Sequence, residues 1–377
     1  MRILTLSNCP LVESQGSGYV IVNFCRRLRQ RGHEVDLFGP ESFELFYPFA
    51  IGRAVGYRQA LGMLLFTFRQ ILKKRYDIIE FYGSTSWLTA SILKKIPKRN
   101  FLLASHSNGI ETNYSEVLKQ YLNSSALDGN VRKWYQTELS FLDEQAFKQV
   151  DGIITNSDYD NQYALKHNYQ QPKYILTIEN SLLNSFLDLA ISYDRASVIG
   201  YCGTWIVRKG IKLIQEDITN LLFEFRHISF KLIGVGNDFQ KEALFPPEIC
   251  NRIEVIPFVE NKQDLLNLYQ SIAILIMPSI YESFGLVCAE AMACGCAVVA
   301  SNTGFVAGLK QREEALILEK PVSPFLYEGV KELLLNEALR LKIAQGGYQR
   351  VQNLRWELAV ERLEQTYTGW LQEFKSK

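Results

Sequence analysis

Short apolar runs recur along the whole chain, and longer stretches with helical spacing separate them. Such runs, bounded by glycine, proline or polar residues, predict buried strands. In the first half they lie at 3–6, 34–38, 78–82, 101–104, 152–155 and 175–178. In the second half one begins at 198, and others follow at 230–233, 253–256, 272–277, 297–300 and 315–318. Because strands and helices alternate, the pattern predicts an α/β protein with parallel sheets.

The length of the chain indicates two domains. Its 377 residues exceed what one hydrophobic core usually serves. One set of strands and helices ends before Asn180, and a second set begins at Val198. We interpret the stretch from Asn180 to Arg195, between the two sets, as a linker.

The stretch from Met277 to Ser301 contains a first candidate for chemistry. It predicts a strand, a tight loop, a helix over 286–294 and a second strand, with Gly285 at the start of the helix. A helix N-terminus that follows a strand end suits a diphosphate, because its N–H groups and dipole are positive. Glu290 could then accept hydrogen bonds from ribose hydroxyls, and Glu282 could reach a sugar. The alternative is an ordinary strand–helix–strand unit with two solvated glutamates.

Glycine and basic residues mark two further turns near predicted helix starts. Gly16 and Gly18 lie in a predicted loop before a helix that starts at about Tyr19, and such a loop could admit a substrate close to the backbone. Arg208 and Lys209 lie at the predicted start of a helix in the second set. Two cations near a helix start are typical of phosphate binding. The alternative is a basic pair on the surface.

Polar residues after two strands of the first half raise two further questions. His106 follows a strand end in a polar loop that contains glycine, so a role in a cleft and a structural role both remain open. Asp158 and Asp160 spell DxD, which could bind a divalent metal. We favour the interpretation that Ser157 or Asp158 caps the next helix.

Charge and cysteine content exclude some classes of function. The net charge of +1 argues against nucleic acid as a bulk electrostatic partner. The seven cysteines include no CxxC pair, and we interpret Cys294 and Cys296 as packing residues because no third ligand is near. Scattered cysteines fit a reducing compartment, and the N-terminal sequence reads as a strand rather than a signal peptide, so we expect a cytoplasmic location.

Basic residues are concentrated between residues 53 and 99, where they alternate with leucine and phenylalanine. A basic amphipathic helix can lie on an anionic membrane surface, which would make the protein peripheral at the inner membrane face. The same pattern fits a core helix with a solvated basic end. We favour this second interpretation because helices of this kind are common.

In combination, these motifs resemble the retaining glycosyltransferase family 4, which has the GT-B fold. The resemblance covers nearly the whole chain. It rests on Glu282-Ser283-Phe284-Gly285 with Glu290, which match the E-x7-E signature of the family. Gly203 with Lys209-Gly210 matches a second element, and Gly234-Val235-Gly236 a third, in the same order along the chain.

The resemblance implies an architecture of two Rossmann-like domains with parallel sheets that face each other across a cleft. Residues 1–185 would form the domain on the acceptor side. The C-terminal helix, 356–377, would cross back onto that domain. Residues 196–355 would form the domain that binds a nucleotide-diphosphate sugar.

The resemblance also implies roles for individual residues. Catalytic roles would fall to Glu282 at the donor sugar, to Lys209 at the diphosphate, and to His106 near the transferred sugar. The other residues implied to contact the donor are Gly16, Gly18, Gly203, Arg208, Gly234, Val259, Ser283, Phe284, Gly285, Leu286, Val287 and Glu290.

The implied reaction is the transfer of a hexose from the nucleotide-diphosphate sugar to a glycan, a lipid-linked acceptor or a small molecule, with retention of anomeric configuration. The donor is a co-substrate, and the resemblance implies no cofactor and no metal. Thr204 stands where the family usually carries an arginine, and Asn180-Ser181 where Asn-Gly is usual. Two alternatives therefore stay open: a catalytically silent subunit that binds a nucleotide sugar or stabilises a partner, and a sugar-nucleotide epimerase of the same fold.

Overall fold

The computed structural model describes residues 1–13, 16–44, 55–122, 133–211 and 214–376. The chain divides into two compact units. The first consists of residues 1–116, 129–181 and 356–377, and the second of residues 117–128 and 182–355. Each unit has its own sheet and its own buried apolar core.

Each sheet has six strands, and every pair of neighbouring strands is parallel. The first contains β1 (Arg2–Ser7), β2 (Glu34–Phe38), β3 (Ile78–Tyr82), β4 (Leu102–His106), β5 (Gly152–Thr155) and β6 (Ile175–Thr177). The second contains β7 (Val198–Cys202), β8 (Ser229–Ile233), β9 (Ile253–Ile256), β10 (Ile274–Met277), β11 (Ala297–Ser301) and β12 (Leu316–Leu318). The predicted parallel α/β class is confirmed.

Helices connect the strands, as crossovers between parallel strands require. In the first half they are α1 (Gly16–Gln30), α2 (Val55–Lys73), α3 (Trp87–Lys94), α4 (Glu111–Leu122), α5 (Lys133–Lys148) and α6 (Asp158–Lys166). The second half contains α7 (Asn184–Leu187), α8 (Gln215–Glu224), α9 (Pro247–Cys250), α10 (Lys262–Gln270), α11 (Leu286–Ala293), α12 (Phe325–Leu335), α13 (Glu337–Val351) and α14 (Trp356–Lys375).

The strand order of the second sheet defines where a ligand can bind. The order is β12-β11-β10-β7-β8-β9, so β7 lies beside β10 although two strands separate them along the chain. From β7 the chain first extends the sheet to one side through β8 and β9 and then, with β10, to the other. In doubly wound sheets, ligands bind at such a reversal point, outside the carboxyl ends of the strands. The loops after β7 and β10 are therefore the place to search for a site.

The C-terminal helix α14 belongs to the first unit. Its Trp356 indole donates a hydrogen bond to the Tyr19 hydroxyl at 3.2 Å, and its Tyr367 hydroxyl donates one to Glu80 Oε1 at 2.6 Å. Gly152 on β5 makes room for the Trp370 ring, because a Cβ at Gly152 would lie 2.3 Å from that ring. The helix is thus fastened to the first unit through several of its turns.

The prediction that Gly16 and Gly18 form a loop before the helix was wrong. Helix α1 already begins at Gly16, so both glycines form its first turn. A Cβ at Gly18 would lie 2.6 Å from the carbonyl oxygen of Val12. The missing side chain therefore lets the helix start pack against the loop that precedes it.

No helix among the described residues combines the length and the apolar character that crossing a bilayer demands.

Candidate functional site

The loops after β7 and β10 are packed directly on each other at the reversal point of the second sheet. Gly210 has a φ of +68°, and a Cβ there would lie 1.7 Å from the carbonyl oxygen of Pro278. The Ile280 N–H donates to the Arg208 carbonyl at 2.9 Å. Only glycine allows this approach, so the basic turn and the glutamate loop form one local structure.

Lys209 and Glu282 meet within this structure. The Lys209 ammonium lies 2.6 Å from Glu282 Oε1, and the Ser279 hydroxyl donates to the same oxygen at 2.6 Å. Glu282 is buried, while Lys209 is partly exposed. A buried carboxylate is stable only when charged or polar partners compensate its lost hydration. The pair therefore holds both groups in fixed positions beside the helix start.

The prediction for Arg208 and Lys209 needs a correction in local structure. They lie in a short 3-10 turn, Val207–Lys209, that Gly210 ends, and not at the start of an α-helix. The Arg208 guanidinium lies over the Tyr281 ring, 4.9 Å from its centroid. The two basic residues thus contact the 278–285 loop rather than a helix N-terminus of their own.

The loop after β11 supports the glutamate loop from its other side. The Glu282 N–H donates to Thr303 Oγ1 at 3.0 Å, and the Phe305 N–H donates to the Phe284 carbonyl at 2.8 Å. A Cβ at Gly304 would lie 2.5 Å from that carbonyl oxygen. Glu282 is therefore held through its backbone as well as through its side chain.

Helix α11 begins where the sequence predicts. Gly285 is its N-cap with a φ of +94°, which a residue with a side chain rarely adopts. Gly285, Leu286 and Val287 are partly exposed, whereas Ser283 and Phe284 are buried. The first N–H groups of a helix have no partner within it, so the half-exposed first turn offers donors to an anion.

Glu290 lies one helical turn further on and is fixed by α10. The Lys262 ammonium lies 2.9 Å from Glu290 Oε1, and the Tyr269 hydroxyl donates to Oε2 at 3.3 Å. Burial, together with the nearby Cys202 and Glu290, raises the pKa of Tyr269 well above its usual value, so the phenol keeps its proton. Two donors thus orient a carboxylate that is itself 6% exposed.

Sequence reasoning missed Lys262 and Thr303. Lys262 begins α10 after its N-cap Asn261, in a run of polar residues typical of a solvated helix start. Thr303 follows β11 without a recognisable motif. The one available signal was the position of both residues just after strand ends of the second sheet.

Backbone hydrogen bonds align the remaining glycine loops at the same edge. The Gly203 N–H donates to the Ile233 carbonyl and the Gly234 N–H to the Ile256 carbonyl, both at 2.8 Å. Val259 follows β9 and packs partly on the core. Gly203, Gly234 and Val259 therefore follow the carboxyl ends of β7, β8 and β9, the same ends that Lys209 and Glu282 follow.

His106 lies in the first unit and is completely buried. Its Nδ1 is 2.7 Å from the Tyr82 hydroxyl and 3.2 Å from Glu80 Oε1, and its ring stacks on Tyr82. Burial works to raise the pKa of Glu80, but hydrogen bonds from His106, Tyr367 and Thr5 outweigh it and lower the pKa. His106 therefore belongs to a buried polar network, and its catalytic role stays a prediction.

The DxD sequence starts a helix, as predicted. Ser157 is the N-cap of α6, and its side chain accepts from the Asp160 N–H. Asp160 Oδ1 accepts from Asn113, and Asp158 Oδ1 from Thr177. Within the described ranges, no three His, Cys, Asp or Glu side chains are grouped as metal ligands.

Two family models match the two halves of the chain. Residues 14–181 match the model described as Glycosyltransferase Family 4. Residues 196–366 match the model described as Glycosyl transferases group 1. Both halves of the chain therefore match models of glycosyltransferase families.

Solved structures show that the whole chain has the GT-B fold, so the predicted fold class is confirmed. Sucrose-phosphate synthase from Thermosynechococcus elongatus superposes with a TM-score of 0.78 at 18% identity, over 100% of each chain. The HepE protein of Anabaena in complex with UDP-glucose superposes with a TM-score of 0.67 at 14% identity, over 98% of this chain and 100% of that one.

A sequence relative matches only part of the chain. The capsular polysaccharide biosynthesis glycosyltransferase CapM of Staphylococcus aureus is 26% identical over 186 residues, which cover 48% of this chain and 48% of CapM. The chain thus spans about half the length of this relative.

Proposed function

We propose that this chain is a glycosyltransferase that moves a sugar from a nucleotide-diphosphate sugar to a carbohydrate or lipid-linked acceptor, with retention of anomeric configuration. The observation that carries the proposal is the fixed arrangement at the reversal point of the second sheet. There Lys209, Glu282 and Glu290 are each held by named partners beside the first turn of α11. A nucleotide-diphosphate sugar consists of a sugar, a diphosphate and a nucleoside with a ribose. Glu282 is suited to the sugar, Lys209 to the diphosphate and Glu290 to the ribose.

Each part of the donor has a chemically suitable partner. Hydroxyls of the ribose would donate to Glu290, whose two oxygens keep free lone pairs beside Lys262 and Tyr269. The diphosphate would lie against the first turn of α11, where Gly285, Leu286 and Val287 are partly exposed. Lys209 would contact the diphosphate, and Glu282 would contact the transferred sugar. The known binding of UDP-glucose by HepE, a structural neighbour, supports this class of donor.

The departing nucleoside diphosphate gains negative charge as the glycosidic bond breaks. Groups that are already oriented toward that charge stabilise the transition state without reorganisation. Lys209 and the N–H groups of α11 meet this requirement, because the Gly210–Pro278 contact and the Thr303 hydrogen bond hold their loops in place. We therefore propose that the transfer step needs no divalent metal.

Thermal shift against a panel of nucleotide sugars, followed by turnover assays with the stabilising donor, tests the proposal. We expect Glu290→Gln to weaken nucleotide binding about tenfold or more, because a carboxylate that accepts hydrogen bonds from two hydroxyls is replaced by an amide that is both donor and acceptor.

We expect Lys209→Met to lower kcat by about 10²-fold or more, because the departing nucleoside diphosphate loses the cation that stabilises its growing negative charge. Glu254→Gln on β9 is the matched control, since Glu254 is exposed and lies outside these contacts.

Separate measurements address the finer parts of the proposal. The anomeric proton of the product reports retention, and turnover after chelator treatment reports metal dependence. If Glu290→Gln and Lys209→Met both keep full nucleotide affinity and turnover, the proposed site is wrong.

The exposed Thr204 favours one second candidate, a subunit that binds the nucleotide sugar without transferring it. The family usually has an arginine at this position. With threonine there instead, the loop after β7 carries one positive charge fewer. Such a subunit would be stabilised by a nucleotide sugar but would show neither transfer nor donor hydrolysis. Restoration of activity in Thr204→Arg would identify this case.

A further inference from the structure

Helix α2 in the first unit is apolar on two sides. One side faces the core, where Ala60, Met63, Leu64 and Thr67 are buried. The exposed side carries a second apolar stripe with spacings of four and seven residues. Its large side chains are Tyr57, Leu61, Leu65 and Leu72, which are 46%, 44%, 55% and 85% exposed.

Such an outward stripe is unusual for a surface helix. The outer face of a helix that only covers a core is normally polar. Single exposed leucines need no explanation, but leucines aligned along one helix face form a continuous patch. From Tyr57 to Leu72 the stripe extends about 22 Å at the rise of an α-helix. It is long enough to lie along a surface.

The charge around this stripe has one sign. Residues 45–76 contain no aspartate or glutamate. Arg69 and Lys73 are exposed on α2 along one edge of the leucine stripe, and Arg75 is exposed two residues after the end of the helix. None of these three forms an ion pair with a carboxylate of the described residues. Their positive charge is therefore available to a partner.

Several other basic residues of the 53–99 stretch have structural partners. Arg58 pairs with Glu44 at 3.3 Å, Lys74 with Asp36 at 2.8 Å, and Arg99 with Asp151 at 2.6 Å. Arg53 lies outside the described residues. The structure thus separates basic residues that serve the fold from those that flank the leucine stripe.

We propose that the outward stripe of α2 docks on an anionic lipid surface. Apolar side chains flanked by arginine and lysine are the composition of helices that lie in the plane of a membrane interface. The leucines would enter the boundary of the acyl chains, and Arg69, Lys73 and Arg75 would contact lipid phosphates. Tyr57, whose ring lies 6.4 Å from that of Trp87, would add an aromatic pair of the kind enriched at interfaces.

The charge pattern favours lipid over a second copy of the chain. In a symmetric dimer the same face would meet itself, so the basic residues of both copies would lie in one interface, and residues 45–76 supply no carboxylate to balance them. Like charges brought together across an interface cost free energy, whereas an anionic bilayer attracts them. This docking surface lies in the first unit and does not depend on the proposed donor site.

Flotation with lipid vesicles tests the proposal on the full chain. We expect the protein to float with equimolar phosphatidylglycerol and phosphatidylcholine at low salt, and to stay at the bottom with phosphatidylcholine alone. Leu61→Gln with Leu65→Gln should lower the floating fraction at least about fivefold, because two buried leucyl side chains are lost from the bilayer. The matched control is Leu335→Gln with Leu358→Gln, two exposed leucines on α12 and α14.

A second pair of variants tests the charges. Arg69→Gln with Lys73→Gln should weaken flotation with the anionic vesicles and reduce its salt dependence, whereas Lys310→Gln with Lys320→Gln should not. Thermal unfolding of every variant verifies folding. No flotation of the wild type with anionic vesicles overturns the proposal. So does concentration-dependent dimerisation that the leucine variants abolish, because a second copy would then cover the stripe.

Discussion

At the scale of single residues, Lys262 is the group whose role the structure changes most. It begins α10 and pairs with Glu290 at 2.9 Å, although 27 residues of sequence lie between them. If Glu290 binds ribose, Lys262 holds that carboxylate in place and directs its remaining lone pairs. Lys262 is then a positioning residue for the recognition of the ribose hydroxyls.

We expect Lys262→Met to reduce the preference for a ribonucleotide over its 2′-deoxy form about tenfold, since an unpaired Glu290 side chain is free to turn away from the hydroxyl. Calorimetric titration with UDP and 2′-deoxy-UDP, or the pair for whichever base binds, measures this ratio. Lys262→Arg should restore most of the preference. Lys231→Met is the matched control, because Lys231 pairs with Ser271 and Glu254 away from Glu290.

The possible outcomes distinguish the positioning role of Lys262 from the proposed glycosyltransferase function. If no ribonucleotide binds to the wild type, the proposed function fails. If the wild type prefers the ribonucleotide and Lys262→Met keeps the full preference, only the role of Lys262 is wrong.

At the scale of elements, a buried carboxyl joins α4 to α5. Asp143 on α5 accepts the Thr112 N–H at 3.2 Å, and Thr112 Oγ1 is 2.8 Å from the Tyr169 hydroxyl. Burial raises the pKa of Asp143 to about 8, against the opposing hydrogen bond from Thr112. The folded protein therefore keeps a proton on Asp143 at neutral pH, whereas the unfolded chain loses it near pH 4.

The pH dependence of stability follows from this difference. Between pH 4 and pH 8 the folded state binds more protons through Asp143, so the free energy of unfolding contributed by this group falls as pH rises. Asp143→Asn removes the ionisation, and we expect it to raise Tm at pH 8 by several degrees while changing Tm at pH 5 less. A Tm gain that is equal at both pH values would contradict the assigned pKa. Glu144→Gln, the partly exposed neighbour on α5, is the control.

The elements themselves were largely predictable from sequence. The predicted strands at 34–38, 78–82, 152–155 and 253–256 coincide with β2, β3, β5 and β9. These are short apolar runs between turn residues, so the local pattern determines both their type and their ends. The start of α11 at Gly285 was predictable for the same reason.

The contacts between elements were not predictable from local pattern. Lys209 meets Glu282 because β7 pairs with β10, and 72 residues of sequence lie between the two. The burial of His106 depends on Phe24 from α1 and on Glu80 and Tyr82 from β3, two segments that are distant from it in sequence. The outward stripe of α2 consists of the same residue types as the buried side of a core helix. Only the packed structure shows which side of the helix is exposed to solvent.

At the scale of the whole molecule, the first unit depends on the last helix of the chain. Tyr367 on α14 donates to Glu80 on β3 at 2.6 Å, and both residues are buried. We expect Tyr367→Phe to lower the stability of the first unit by about 1.5–3 kcal/mol, because a buried carboxylate loses a donor.

Hydrogen exchange resolved by segment measures this effect. Amides of β1 to β5 should lose protection, while those of β7 to β11 should keep it. Tyr163→Phe is the control, since the Tyr163 hydroxyl donates to the exposed Glu116 at 2.7 Å and the loss of this hydrogen bond should cost less. Equal loss of protection in both sheets would show that the two units unfold together.

The place of α14 has a consequence for the order of events during synthesis. The second unit is nearly continuous from Leu182 to Arg355, whereas the first needs residues 356–377. At ribosomal rates the roughly 170 residues in between take on the order of ten seconds or more to emerge. During that interval Glu80 lacks the hydrogen bond from Tyr367, and Gly152 lacks the Trp370 ring that packs against it. The first unit can therefore complete its buried contacts only after the second unit has been synthesised.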